Sequence, residues 1–326
     1  MTSLRTLLPL NVDFAAKVRW RMRFDRNPLL ITLQDKYALR EYADSRGVKT
    51  PRLLHLTDCP ETIPFDDLPL RYMIKATHGR AWNILCFDSE LYPFGDGCNL
   101  INQDGSLLNT EAAAKYKLSR SEAVKLCKYW LAQKYNSREW AYQFIYPRIL
   151  VEELLVPKDN TILKDYRMYT FRGAVKAINV GSALYRKTHT NVFFDAHWKE
   201  FKLTKYREQI PCPLPEVPEV LGDMIKVAEK IGHDMDFTRI DLYDTPQGIF
   251  LGEATVYPEG GGLDSPTSCP AFNKWLGNQW ALNKIDSINA AWWGPISGMW
   301  WCARQINTRT LKRILGNKIE AQPPHR

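Results

Sequence analysis

Two carboxylates and a guanidinium, Asp241, Glu253 and Arg239, are spaced along residues 239–257 in a pattern that can do chemistry. The stretch reads as two strands, 237–243 and 249–257, joined by a turn on Pro246 and Gly248. Side chains alternate along a strand, so Arg239, Asp241 and Tyr243 share one face of the first. Leu251, Glu253 and Thr255 share one face of the second, and hairpin pairing can set it beside the Arg239/Asp241 face. Carboxylates so placed repel each other unless a cation lies between them, and Mg2+ carrying nucleotide phosphates is the natural one. A solvated outer hairpin face is the alternative that this stretch alone leaves open.

Other residues of the same kind precede it. Lys75 stands near the end of a strand that runs into a tight loop, 77–83, containing His78, Gly79 and Asn83, and a second strand follows. Such a loop can fold over phosphates and offer them backbone N–H groups, with the lysine as a point charge; a single glycine makes it a sparse phosphate loop. Glu152 and Glu153 are set into the apolar run Ile149-Leu150-Val151, where acids need partners.

The elements that must position these groups follow from pattern. Residues 35–47 read as a helix stopped by Gly47, and 53–56 as a short strand. Ser119 with Glu122 forms a capping box for an amphipathic helix through about Tyr135. Residues 165–180 read as a hairpin turning at Arg172-Gly173, and 219–231 as a helix ended by Gly232. Residues 258–262 read as a flexible, glycine-rich loop suited to close approach of a ligand. The run from Val18 to Phe24 alternates basic and apolar residues, which fits a strand edge or a basic helical face.

The chain has 326 residues, enough for one large or several small domains. Its formal charge of +8 suits anionic ligands without choosing among them. The seven cysteines are scattered and contain no Cys-x-x-Cys, so neither a zinc site nor a disulfide framework is indicated and a reducing cytosol is the expectation. No recognised nucleic-acid module surrounds the basic run at 18–24, and no nucleic-acid partner is expected. The patch at 7–10 is too short for a signal-peptide core, and no apolar run reaches membrane-spanning length. In the tail, Trp292, Trp293, Trp300 and Trp301 precede Arg304, Arg309, Lys312, Arg313 and Lys318. This mixture suits either a helix packed back on the domain or peripheral contact with a membrane's inner face.

The order of these features resembles the ATP-grasp superfamily, and specifically its TupA-like branch associated with teichuronopeptide and surface-polysaccharide synthesis. The matching phrases are Phe24-Asp-Arg-Asn-Pro, Asp35-Lys36-Tyr-Ala-Leu-Arg-Glu-Tyr, Lys75-Ala-Thr-His-Gly, Trp82-Asn83-Ile, Arg138-Glu-Trp, Pro147-Arg-Ile, Asp165-Tyr-Arg, and Arg239-Ile-Asp-Leu-Tyr through Glu253. The resemblance implies an α+β fold in which two subdomains clasp ATP behind an N-terminal α/β region. The implied divisions are 1–70, 71–155 with the phosphate loop, 156–285 with the metal site, and a basic tail at 286–326. It implies ATP and one or two Mg2+ ions as cofactors. Lys36 and Lys75 would contact the phosphates together with His78, Gly79 and Asn83. Glu152 would sit at the adenine-reading hinge, with Glu153 and Leu155 offering backbone groups. Arg167 would line the phosphate channel and Arg239 would face the transferring phosphoryl group. Asp241, Glu253 and Thr255 would hold metal, with Glu253 able to bridge two ions. Two positions depart from the pattern. Thr255, a poorer oxygen ligand, stands where the wider superfamily commonly has Asn, and Ala81 stands where a second glycine is usual, implying a stiffer loop.

The resemblance further implies a carboxylate–amine ligase that works through an acyl phosphate. The partners would be an acidic small molecule or glycan and an amine. A kinase acting on a sugar hydroxyl and a non-catalytic nucleotide-binding module of an assembly complex are the alternatives.

Overall fold

The computed structural model describes residues 13–94, 116–135, 138–157, 163–182, 192–203, 214–262 and 269–281. The patch at 7–10 and the Trp-rich tail lie outside the described residues. Within them, no helix is long and apolar enough to cross a membrane.

Among the described residues, ten strands make two antiparallel five-stranded sheets. The first takes β1 (Leu53–Thr57), β2 (Tyr72–Ala76), β3 (Asn83–Phe87), β4 (Glu90–Phe94) and β5 (Ile149–Glu153), in the order β1-β5-β2-β3-β4. Its edge strand comes from before residue 70, so the sequence boundary at that point cuts through the sheet. Alternation sorts the side chains: Tyr72, Ile74, Ala76, Ile149 and Val151 enter one core, while Met73, Lys75 and Glu152 turn to the opposite face. That core is covered by a helix, Arg120–Ala132, whose Ala123, Cys127 and Trp130 are buried. The Ser119/Glu122 capping box starts the helix as its sequence predicts.

The second sheet takes β6 (Lys164–Phe171), β7 (Ala174–Ser182), β8 (Val192–Phe194), β9 (Thr238–Thr245) and β10 (Gly248–Thr255), in the order β10-β9-β6-β7-β8. The β6–β7 turn has positive φ at both Arg172 and Gly173, the pattern of a tight hairpin turn. A helix, Leu221–Gly232, packs Met224, Ala228 and Ile231 into this sheet's core. Gly232 belongs to the helix rather than ending it. A β-carbon there would collide with the Thr170 side chain on β6, so the glycine permits close approach of helix to strand.

The basic–apolar run at 18–24 is helical, within Phe14–Phe24; of its three arginines Arg21 turns inward, while Arg19 and Arg23 are exposed. Arg21 is fully buried: Nη1 donates to the Phe237 carbonyl at 2.8 Å, Nη2 pairs with Asp236, and the guanidinium lies 4.3 Å over Trp280. Lys17 Nζ donates to the Gly277 and Trp280 carbonyls at 2.8 and 2.7 Å, capping the helix Pro270–Gln279. The first helix thereby ties residues 270–280 to the second sheet. The loop at 258–262 is ordered against it. It forms a 3-10 turn, Pro258–Gly261, and a β-carbon on Gly261 would lie 2.8 Å from the Ala15 carbonyl oxygen.

Candidate active site

A cleft of about 420 Å³ lies where side chains of both sheets meet. The first sheet and its flanks supply Lys36, Lys75, Asn83, Glu152, Glu153 and Leu155. The second supplies Arg167, Arg239, Asp241, Glu253 and Thr255. Eleven sequence-predicted residues, far apart in the chain, therefore share one lining. Met73, Phe94, Leu154, Leu155 and Leu163 add an apolar wall that could receive a flat ring.

The hairpin delivers its acids by register. Glu253 lies opposite Asp241 and Thr255 opposite Arg239. The sequence groups Leu251 with Glu253 on one face, and the structure corrects this. Leu251 pairs with Leu242 and is buried in the core, because Gly252 is an extra residue that reverses the alternation. The bulge needs glycine: a β-carbon there would collide with the ring of Tyr243.

Opposite charges are matched across this floor. Arg239 Nε and Nη2 donate to the two Asp241 oxygens at 2.7 and 2.6 Å, and Nη2 also donates to Thr255 Oγ1 at 3.0 Å. Burial pushes the Asp241 carboxyl up to about 6 against the pull of Arg239. Burial alone would lower the Arg239 guanidinium, but Asp241 outweighs it and holds the charge firmly. One strand over, Arg167 Nε donates to Asp165 Oδ2 at 2.8 Å and Nη1 to Asn179 Oδ1 at 3.1 Å.

On the other wall, Lys75 Nζ donates to Glu152 Oε1 at 2.5 Å, and Arg40 Nη1 to Glu152 Oε2 at 2.9 Å. The acid that the sequence marks as needing partners has two. Glu153 Oε1 accepts from the Arg52 backbone N–H at 2.8 Å. Lys36 does not sit within a helix begun by Asp35. The chain breaks between helices Leu29–Gln34 and Ala38–Asp44, and the buried Asp35 takes the Tyr37 N–H at 2.9 Å and Arg148 Nη2 at 3.2 Å. The break leaves Lys36 facing the cleft, donating to the Gly79 carbonyl. Burial draws its ammonium below the usual lysine range, with Glu253 pulling it back.

His78 and Gly79 are absent from the lining. His78 is buried with Nε2 2.9 Å from the Trp130 carbonyl oxygen, and burial holds its imidazole below the usual value. The Trp82 ring fills the space beside Gly79. Both residues shape the loop from behind. Ala81, by contrast, lines the cleft with a left-handed φ of 59°.

The donor set can be tested against Mg2+. Among the described residues no three His, Cys, Asp or Glu side chains group as a metal site. Mg2+ normally takes one or two carboxylates and completes its shell with water and substrate phosphates. Asp241 and Glu253, opposed across a hairpin, fit an ion delivered by a nucleotide and do not make a standing protein cage.

Sequence reasoning gave no site role to Asp165, Tyr243, Gly252 or Arg40. Asp165 is 6% exposed, lines the cleft, and its Oδ1 has no hydrogen-bond partner. Its position two before Arg167 on one strand was the available signal, since that spacing puts both on one face.

The sequence matches the family described as TupA-like ATPgrasp over residues 16–281. No curated protein matches it. Among solved structures, the D-alanine–D-alanine ligase of Bacillus anthracis complexed with ATP is similar at 11% identity and a TM-score of 0.42. The match covers 81% of this chain and 68% of that one. The D-alanine–D-alanine ligase of Helicobacter pylori is similar at 14% identity and a TM-score of 0.40, covering 77% and 61%. The ATP-grasp ligase PsnB complexed with minimal precursor, Mg and ADP is similar at 14% identity and a TM-score of 0.36, covering 76% and 60%. The family match, which spans most of the chain, carries the assignment; these distant likenesses add nothing to it.

Proposed function

Because this chain belongs to the TupA-like ATP-grasp family, we propose that it binds ATP with Mg2+ in the cleft between its sheets and uses it to join a carboxylate to an amine. The supporting observation is the convergence on one lining of Lys36, Lys75 and Glu152 with Arg167, Arg239, Asp241 and Glu253. The apolar wall with Leu154 and Leu155 takes the base. Lys36, Lys75 and Arg167 hold the phosphates, and Asp241 and Glu253 hold the ion. Bound Mg2+ would neutralise charge spreading over the transferring phosphoryl group. Arg239 faces that group and, with Lys75, fixes it in line with the attacking carboxylate. The loop at 77–83 covers the phosphates and excludes water from the activated acid. An amine then displaces phosphate, so one ATP, one acid and one amine give one amide, ADP and inorganic phosphate.

The TupA-like resemblance supports a surface-polysaccharide or uronic-acid building block as the acid, handled in the cytoplasm. The Trp and basic residues of the tail support contact with anionic lipid at the membrane's inner face. Vesicle flotation of the chain with and without residues 291–326 tests that contact; equal flotation removes it.

A panel of uronic acids and amino acids, each paired with amines, tests the reaction. ADP and phosphate should appear only when both substrates are present, with a product mass equal to acid plus amine less water. Asp241→Asn with Glu253→Gln should abolish turnover. Phosphate retained on a sugar product would identify a kinase instead. ATP bound but never consumed would identify a non-catalytic module.

A further inference from the structure

The Arg239 guanidinium occupies the place where the ion would be needed. It spans both oxygens of Asp241 at 2.7 and 2.6 Å, and the same Nη2 reaches Thr255 Oγ1 at 3.0 Å. Two of the three groups expected to hold metal therefore serve an internal cation. Their register makes this arrangement stable: Arg239 and Asp241 are two apart on one face of β9, and Thr255 lies directly opposite Arg239 on β10. Asp241 is buried and Arg239 and Thr255 are half-buried, a setting in which a fork-shaped, charge-assisted pair is strong. A divalent ion approaching alone must displace that pair without replacing the charge partner that Arg239 loses.

Nucleotide phosphates remove the obstacle. They give the guanidinium a new anionic partner at the moment Asp241 is released to the ion. Resting on the proposed nucleotide site, we propose that Arg239, seated by Thr255, is the resident counter-ion of the metal floor. In this arrangement the divalent ion enters only together with phosphates that draw Arg239 away. Thr255 is then a positioning residue acting on Arg239 rather than a metal ligand, which accounts for a hydroxyl at a position where a stronger oxygen donor would serve metal better. The coupling is reciprocal: the ion should strengthen nucleotide binding by the same factor that nucleotide strengthens ion binding.

The test uses the whole chain and Mn2+, whose free-ion signal is read by electron paramagnetic resonance, with and without the non-hydrolysable analogue AMP-PNP. Wild type should bind Mn2+ weakly alone and tightly with AMP-PNP. Arg239→Met should raise affinity for Mn2+ alone on the order of tenfold, within the range usual for coupled sites. Thr255→Val keeps the guanidinium's charge and the side chain's shape but removes the seat. It should raise that affinity by a smaller factor, which loss of charge alone cannot explain. If Arg239→Met does not fold, Thr255→Val carries the test. Wild type binding Mn2+ equally with and without AMP-PNP, or an unchanged Mn2+ affinity in Thr255→Val, overturns the proposal. Failure of AMP-PNP to bind under any condition would instead count against the nucleotide site, and the comparison with Mn2+ alone would still be read.

Discussion

The Tyr243 ring occupies the space beside Gly252 that any β-carbon there would need. This contact sets the bulge in β10, and the bulge turns Glu253 toward Asp241 while sending Leu251 to the core. Gly252→Ala should therefore cost about 1–3 kcal/mol in urea unfolding, the usual range for overpacking. It should weaken Mg2+–nucleotide binding as well. Tyr243→Ala in the same chain should restore much of the stability. A Gly252→Ala chain as stable as wild type would remove the steric account.

His78 is buried behind the loop with Nε2 against the Trp130 carbonyl oxygen. Its imidazole is held neutral by burial, below the value of about 6.5 that it has in the unfolded chain. A depressed folded value means stability that is present above the unfolded value and lost as pH falls through the folded one. His78→Gln keeps a donor for the Trp130 carbonyl but does not titrate. Between about pH 7.5 and pH 5.5, wild type should lose more unfolding free energy than His78→Gln. Equal losses would show that His78 contributes nothing to the acid response.

Ala81 holds a left-handed φ of 59° in the loop facing the cleft, a conformation that costs an alanine about 1–2 kcal/mol. Glycine avoids that cost but loses more entropy on folding. Ala81→Gly should therefore stabilise the chain by about 0.5–1 kcal/mol while loosening the loop, visible as faster amide exchange at 79–83. A lower unfolding midpoint would contradict the strain.

Arg21 binds the first helix to Asp236, Phe237 and Trp280. Arg21→Met leaves those acceptors behind and should cost about 3–5 kcal/mol, as removing one partner of a buried pair does. Phe272 and Trp280 bring the helix Pro270–Gln279 into the same core, so the loss should appear as one cooperative transition. A change near zero would mean that the contacts are replaceable.

The gathering of the cleft residues on one lining was legible in the sequence because they sit on short-period elements. Asp241 and Arg239 announce a shared face by their spacing, and Glu152 stands out by its apolar neighbours. What stayed hidden depends on contacts between distant segments. Gly252 reads as one strand glycine among others until Tyr243 is seen to fill its side. The burial of Arg21 and Lys17 depends on backbone carbonyls more than two hundred residues away. Gly79 reads as phosphate-loop chemistry although the Trp82 ring is its reason. Asp165 looks like an ordinary strand-start acid until both sheets close over it.

Calorimetric titration with Mg2+ and AMP-PNP tests most directly the proposal that the cleft between the sheets is a Mg2+–nucleotide site. Wild type should show saturable binding of one nucleotide per chain. Lys75→Met and Asp241→Asn, on opposite walls, should each weaken it by roughly tenfold or more, the loss of about 1.4 kcal/mol expected when one charged contact is removed. Absence of saturable binding to wild type, or wild-type affinity in both variants, would contradict it.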